Sequence, residues 1–100
     1  MANFVKVASV ADVAPGSGTC VEACGKQLAL FNVGGTFHVI DGVCPHRGGP
    51  LGEGELEGNN VTCPWHAWTF DVTTGESLTD DSSVTCYEVK VEGDVVLVSL

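Results

Sequence analysis

The chain has 100 residues, 44% of them hydrophobic, and it carries 13 acidic side chains against 4 basic ones. This length allows one domain with one modest core and excludes two. The formal charge of −9 disfavours nucleic acid and anionic membranes as partners, and no run approaches the roughly 18 apolar residues that a membrane span needs. We therefore expect a protein that binds neither nucleic acid nor membrane and that meets partners with basic surfaces. We also expect it to be a monomer.

The N-terminal stretch MANFVKVASVADVAPG contains one lysine and no continuous apolar segment, so it lacks the features of a secretory signal. A cytoplasmic protein is expected. The five cysteines are an odd number, and the expected compartment is reducing, which disfavours a disulfide framework. Two of the five are better explained as metal ligands.

Short apolar or alternating runs, separated by turn residues, predict strands along most of the chain. In chain order they are FVKV (4–7), TCVEA (19–23), QLALFNV (27–33), TFHVID (36–41), TFDV (69–72), YEVKV (87–91) and VVLVSL (95–100). Predicted turns lie at Gly34-Gly35, Thr74-Gly75 and Glu92-Gly93-Asp94. One helical turn is expected around Val10–Ala14, because glycines interrupt nearly every longer helical candidate.

The predicted fold class is all-β, a small antiparallel β-sandwich or barrel. We expect residues 1–100 to form a single domain. Residues 42–71 are the exception to the hairpin pattern, and we expect them to form a loop-rich subdomain that carries the chemistry.

Four candidate metal ligands lie in that segment. Cys44 and His46 form a C-x-H pattern, and after sixteen intervening residues Cys63 and His66 form C-x-x-H. Common structural zinc sites place two cysteines in one short turn and two histidines in another. Here each loop contains one cysteine and one histidine, so a zinc site is the weaker interpretation. If the loops face each other, the cysteines can converge on one iron of a two-iron cluster and the histidines on the other, which is the Rieske arrangement.

Residues 42–71 resemble the binding motif of Rieske-type ferredoxins, and the flanking hairpins are similar to that family's small β-domain. The resemblance implies one [2Fe–2S] cluster, with Cys44 and Cys63 as thiolate ligands of one iron. It implies that His46 and His66 bind the other iron through ring nitrogens. With two thiolates the oxidised core carries a charge of about zero, whereas four thiolates would give about −2, so an electron is added more easily.

High-potential relatives in respiratory complexes carry an extra cysteine in each loop, joined by a disulfide, and hydroxyl groups near the cluster. This chain has Gly49 and Trp65 in place of those cysteines, and Trp68 and Phe70 in place of the serine and tyrosine. Each missing donor removes stabilisation of the reduced state. The resemblance therefore implies a potential at the low end of the range of about −150 to +300 mV.

Other residues allow two interpretations each. Trp65 and Trp68 either shield the cluster or pack over the core, and Arg47 either steers a partner or pairs with a carboxylate. The acidic residues between the two loops either form a docking surface or keep the loop solvated; they are Glu53, Glu55 and Glu57.

The remaining candidates are expected to be structural. His38 is expected to be a partly exposed structural histidine. The remaining cysteines are expected to be buried or half-buried thiols; they are Cys20, Cys24 and Cys86.

The sequence excludes a terminal oxygenase, because only His38 remains for a second iron site that needs two histidines and a carboxylate. There is also no G-x-G-x-x-G fingerprint for a nicotinamide or flavin domain. The resemblance instead implies an electron-transfer component with no catalytic residues of its own, which links a flavin-dependent NAD(P)H reductase to a terminal oxygenase that acts on aromatic compounds. The alternative is a small Rieske subunit of an assimilatory nitrite reductase.

Overall fold

A computed structural model describes residues 4–43, 50–64, 68–78 and 83–99 of the chain. Its described part is almost entirely antiparallel strand, which confirms the all-β prediction. The strands are β1 (Phe4–Ser9), β2 (Ser17–Ala23), β3 (Lys26–Val33), β4 (Thr36–Asp41), β5 (Glu55–Glu57), β6 (Asn60–Thr62), β7 (Thr69–Asp71), β8 (Cys86–Tyr87), β9 (Val89–Glu92) and β10 (Val95–Ser99). Two 3₁₀ turns, at Val10–Asp12 and Leu51–Glu53, are the helical elements of these ranges. None of the described helices is long and apolar enough to cross a membrane.

The strands form three sheets, with orders β1-β10-β9, β2-β3-β4-β8 and β5-β6-β7. The four-stranded sheet has a core on each face. Successive side chains of a strand point to opposite faces, so Leu28 and Leu30 join one core while Ala29 and Phe31 join the other. The unbroken apolar run of β3 is therefore explained by burial on both sides.

We call the two cores the terminal core and the loop core. The terminal core lies against the β1-β10-β9 sheet and contains Ala8, Val13, Ala23, Leu28, Leu30, Phe37, Val39, Val96 and Val98. The loop core lies against the β5-β6-β7 sheet and contains Ala29, Phe31, Ile40, Leu51, Val61, Cys63, Phe70, Val72 and Val84. The second of these includes one of the predicted ligands.

The predicted turns are confirmed. Gly34 and Gly35 join β3 to β4 with φ angles of +59° and +99°, the left-handed region that a tight two-residue hairpin requires. Thr74-Gly75 follows β7 in a turn, and Gly93-Asp94 separates β9 from β10. The helical turn expected around Val10–Ala14 is confirmed as the first 3₁₀ turn.

Two expectations about the elements need correction. The run YEVKV is not one strand, because β8 pairs with β4 whereas β9 pairs with β10, so the chain changes sheets at Glu88. The segment 42–71 also contains more regular structure than its glycines and prolines predict. It holds the second 3₁₀ turn and all three strands of the β5-β6-β7 sheet.

The expectation of buried or half-buried thiols is wrong for the three cysteines outside the predicted ligand set, since all are exposed. Cys20 lies on β2 and Cys86 on β8, which are the two edges of the four-stranded sheet. Cys24 lies in the β2–β3 turn with a φ of 51°. Sheet edges and turns leave side chains uncovered, and apolar character alone does not reveal which strand is an edge.

Candidate metal centre

The structure places one of the four predicted ligands, Cys63. Cys44, His46 and His66 lie outside the described residues, as do Arg47, Gly49 and Trp65. The site is therefore described through Cys63 and the ends of two loops. We call residues 44–49 the first loop and residues 64–67 the second loop.

The first loop begins and ends at one place in the structure. Val43 and Pro50, the residues on either side of it, form an antiparallel β-bridge. The Leu51 N–H also donates a hydrogen bond of 2.9 Å to the Gly42 carbonyl. The residues on either side of the loop are thus paired like the base of a hairpin.

Gly42 allows the base of the first loop to lie close to β3. A Cβ atom at this position would lie 2.8 Å from the Leu28 carbonyl carbon, closer than a side chain tolerates. The Gly42 N–H donates to the Gln27 carbonyl at 2.9 Å. The loop base is therefore fixed to β3, an inner strand of the four-stranded sheet.

The second loop is closed in the same way. The Cys63 N–H donates a hydrogen bond of 2.7 Å to the Trp68 carbonyl. The preceding pair, Thr62 and Thr69, lies opposite in the β6–β7 ladder, with its hydroxyl oxygens 3.4 Å apart. Cys63 therefore lies at the base of the second loop, directly before it, and follows the last pair of the β6–β7 ladder.

Cys63 is 1% exposed and belongs to the loop core. Leu51, which follows Pro50, is fully buried in the same core. A residue just after the first loop and the residue just before the second loop therefore lie in one apolar cluster. Cys63 forms no disulfide, so its sulfur is available to an iron–sulfur cluster, which a cysteine binds as the thiolate.

The second 3₁₀ turn fixes the segment between the loops. A Cβ atom at Gly52 would lie 2.6 Å from the Thr19 carbonyl and from the Cys20 nitrogen, so the turn packs directly on the backbone of β2. Partial desolvation raises the pKa of the exposed Cys20 thiol, and the negative charge of Glu53 adds to that increase, while backbone hydrogen bonds oppose it.

The three glutamates between the loops are all exposed. Glu55 pairs with Thr62 in the β5–β6 ladder and so lies beside the residue that precedes Cys63. Glu57 pairs with Asn60 at the other end of that hairpin. We call Glu53, Glu55 and Glu57 the acidic edge. Along β5 it starts at the base of the second loop and extends away from it.

His38 is half-buried on β4, as expected for a structural histidine. Burial lowers its pKa, and the charge of Asp71 opposes this effect. Within the described ranges, no group of three or more His, Cys, Asp or Glu side chains could hold a metal ion. Trp68 is half-buried and packs against the loop core, in agreement with the packing interpretation.

Sequence reasoning missed two residues beside the first loop, Asp41 and Tyr87. The Tyr87 hydroxyl donates a hydrogen bond of 2.8 Å to the Asp41 carboxylate. The partners are 46 positions apart in the chain, so no local pattern predicts their contact. Burial raises the pKa of Tyr87 to about 12, and the hydrogen bond to Asp41 and the charge of that carboxylate contribute.

Comparison with protein families gives a match along most of the chain. The model of the Rieske [2Fe-2S] domain matches residues 3–91. A curated relative, the 3-phenylpropionate/cinnamic acid dioxygenase ferredoxin subunit of Escherichia coli (strain K12), is 37% identical over 101 residues. That match covers 98% of this chain and 94% of the relative.

Solved structures give the same fold. A chain in the complex of reduced oxygenase and oxidized ferredoxin in carbazole 1,9a-dioxygenase matches with a TM-score of 0.88 and 31% identity, covering 96% of this chain and 92% of that one. The putative NADH-dependent nitrite reductase small subunit from Mycobacterium tuberculosis matches with a TM-score of 0.92 and 24% identity, covering 100% of this chain and 96% of that one. The second likeness is one of fold alone.

Proposed function

This chain belongs to the Rieske [2Fe-2S] domain family, and from that premise we propose that it carries single electrons from a flavin-dependent reductase to a terminal oxygenase that acts on aromatic compounds. The observation that carries the proposal is the 37% identity with a dioxygenase ferredoxin subunit over 98% of this chain and 94% of the relative. The chain is an electron-transfer component and not itself a catalytic enzyme. It carries electrons, and its partners are proteins.

The chain holds one Rieske-type [2Fe–2S] cluster. We assign Cys44 and Cys63 as the thiolate ligands of one iron, and His46 and His66 as the imidazole ligands of the other. When bound, such a cluster takes up and releases one electron at a time. The burial of Cys63 supports its assignment, because the loop core keeps water away from that thiolate.

A low reduction potential follows from the residues beside the second loop. Phe70 is 0% exposed in the loop core that contains Cys63. High-potential relatives have a tyrosine at the corresponding position, and its hydroxyl stabilises the reduced state. A phenylalanine side chain offers no donor there, and the potential is correspondingly lower.

The same proposal covers the organisation and location of the protein. Residues 1–100 act as a single domain in which about residues 42–71 form the cluster-binding subdomain, and the family match over residues 3–91 supports this. The protein works as a monomer in the cytoplasm. Gel filtration of the purified protein tests whether it is a monomer.

The alternative function is the small subunit of a nitrite reductase. The fold similarity to the Mycobacterium tuberculosis protein reaches a TM-score of 0.92, but the identity of 24% carries no function. The complete Cys44, His46, Cys63, His66 set favours the carrier, since some such subunits resemble the fold without the ligands. Stable co-purification with a large reductase subunit would count against the carrier.

One set of measurements tests the proposal and the ligand assignment together. We expect the purified protein to be coloured, to contain about two irons per chain, and to give a Rieske-type EPR spectrum on reduction. Addition of NADH and a flavoprotein reductase should reduce it. We expect Cys63→Ser to lose the cluster and the matched change Cys20→Ser, at an exposed thiol, to retain it. A colourless protein with stoichiometric zinc would refute the proposal.

A further inference from the structure

Asp41 is the last residue of β4, and both oxygens of its carboxylate accept hydrogen bonds. Its Oδ2 accepts from the Thr85 backbone N–H at 2.9 Å, and its Oδ1 accepts from the Tyr87 hydroxyl at 2.8 Å. In return, the Asp41 N–H donates to the Thr85 carbonyl at 3.0 Å. One residue therefore joins the end of β4 to the C-terminal part of the chain through three hydrogen bonds.

These bonds continue a strand pairing that is otherwise very short. β8 has two residues, and its ladder with β4 consists of Val39 opposite Tyr87 and Ile40 opposite Cys86. The ladder ends one residue before Asp41. The carboxylate of Asp41 thus extends the connection toward the first loop at the edge where backbone pairing ends.

The two sides of the loop base are held by different means. On the β3 side, Gly42 packs against the Leu28 backbone and its N–H donates to Gln27. On the β8 side, the Asp41 carboxylate accepts the hydrogen bonds from Thr85 and Tyr87. An open pocket of about 500 Å³ lies beside this contact and is lined by Gly25, Lys26, Gln27, Asp41, Val43 and Tyr87. Backbone packing therefore holds one side of the loop base, and side-chain hydrogen bonds hold the other.

The phenol of Tyr87 is itself kept in place. Its side chain is half-buried and packs against the terminal core. The Lys26 ammonium lies 5.7 Å from the centroid of its ring, within the range of a cation–π interaction. A hydrogen bond that ends on a carboxylate is stronger than one between neutral groups, so this contact can fix the position of Asp41.

From this geometry we propose that Asp41 and Tyr87 are positioning residues for Cys44 and His46, the assigned ligands that begin three residues after Asp41. Their hydrogen bond fixes the base of the first loop, so that both ligands meet the cluster in one geometry. Neither residue touches the cluster in this role. The inference rests on the cluster assigned above and adds two residues outside the ligand set.

The test compares three single variants as purified holoproteins. Tyr87→Phe removes the hydroxyl and keeps the ring, and Asp41→Asn removes an acceptor and the charge. Asp12→Asn is the matched control, because its carboxylate also accepts a backbone hydrogen bond, from the Ser9 N–H at 3.0 Å, in the first 3₁₀ turn. For each variant we would measure the rate of cluster loss in a chelator, the EPR spectrum of the reduced protein and the free energy of unfolding.

We expect Tyr87→Phe and Asp41→Asn to lose the cluster about fivefold faster or more, which corresponds to about 1 kcal/mol of activation free energy, and to broaden the EPR spectrum. Asp12→Asn should neither accelerate cluster loss nor broaden the EPR spectrum, even where it lowers the free energy of unfolding by a similar amount. Rates within about twofold of the natural protein, or an equal acceleration in Asp12→Asn, would overturn the inference. If Asp41→Asn does not fold, Tyr87→Phe decides alone. If the unsubstituted protein contains no [2Fe–2S] cluster, the proposed function is overturned as well. If the unsubstituted protein holds a stable cluster and the variants lose it no faster, only this inference is overturned.

Discussion

At the scale of single residues, a cysteine ligand brings one more negative charge to the cluster than a neutral histidine does. We predict that His66→Cys, where the cluster survives, lowers the midpoint potential, because an added electron then meets a more negative core. Potentiometric titration followed by EPR measures this. His38→Cys is the control, since His38 lies on β4 outside the ligand set, and it should leave the potential nearly unchanged. An equal or higher potential in His66→Cys contradicts the charge argument.

Tyr87 gives a second prediction at this scale, which concerns pH. Its pKa is raised from 10.0 to about 12, first by burial and then by Asp41. The folded protein therefore keeps the phenol proton at a pH where the unfolded chain loses it. The stabilisation is fully present below pH 10.0 and is lost as the pH rises toward 12.

The chain contains one tyrosine, so the near-ultraviolet absorbance of the phenolate reports this residue directly. We expect the folded protein to titrate well above the unfolded chain in urea. The free energy of unfolding should also fall more steeply above pH 10.0 than it does in Tyr87→Phe. A folded-state titration at the ordinary phenol pKa would show that the contact with Asp41 does not form in solution.

At the scale of elements, the second 3₁₀ turn begins with Leu51, which shares a core with Cys63 and so relates the bases of the two loops. This side chain is 0% exposed in the loop core beside Cys63. We predict that Leu51→Ala lowers the free energy of unfolding by about 2–5 kcal/mol, because it leaves a cavity, and that it accelerates cluster loss. Urea unfolding of the holoprotein measures the first effect and visible absorbance the second. Leu78→Ala is the matched control, since Leu78 is 58% exposed, and it should cost about 0.5 kcal/mol or less. Equal effects of the two changes would show that the loop core does not support the site.

The elements also show which parts of the fold a sequence reveals. TFHVID predicts β4 to the residue, and Gly34-Gly35 predicts its hairpin, because alternation and turn conformation are local properties. The division of YEVKV between two sheets at Glu88 was not predictable, since β8 pairs with the distant β4 whereas β9 pairs with its neighbour β10, and no local pattern shows that the two halves pair differently.

The candidate site divides in the same way. The C-x-H and C-x-x-H spacings are local, and they suffice to propose all four ligands. The residues that support the site are not visible in the spacing, because their contacts depend on the tertiary fold. Leu51 appears as one apolar residue among glycines, and the contact of Asp41 with Tyr87 joins residues 46 positions apart.

At the scale of the whole molecule, the four-stranded sheet separates two tasks. The terminal core, on one face, brings together both ends of the described chain through β1 and β10. The loop core, on the other face, contains Cys63 and Leu51 and thereby supports the bases of both loops. Substitutions in the terminal core are therefore expected to act on overall stability, and those in the loop core on the cluster as well.

Net charge gives a prediction about how this carrier meets its partners. The formal charge is −9, and attraction to basic partner surfaces should raise the rate of encounter at low ionic strength. We predict that the second-order rate of electron transfer to the oxygenase falls by about tenfold between about 0.01 M and 0.15 M salt. Stopped-flow measurement of cluster oxidation gives the rate, with a small uncharged oxidant as the salt-independent control.

The location of that charge can be tested with two variants of equal net charge. One replaces the acidic edge between the loops with amides (Glu53→Gln, Glu55→Gln, Glu57→Gln), and the other replaces exposed acids near β9 and β10 (Glu88→Gln, Glu92→Gln, Asp94→Asn). Because Glu55 lies beside the base of the second loop, we expect the first variant to slow electron transfer several-fold more than the second at low salt and to show a smaller salt dependence. Equal rates in the two variants would mean that overall charge, rather than the acidic edge, directs docking. A rate of the unsubstituted protein that does not change with salt would contradict electrostatic steering altogether.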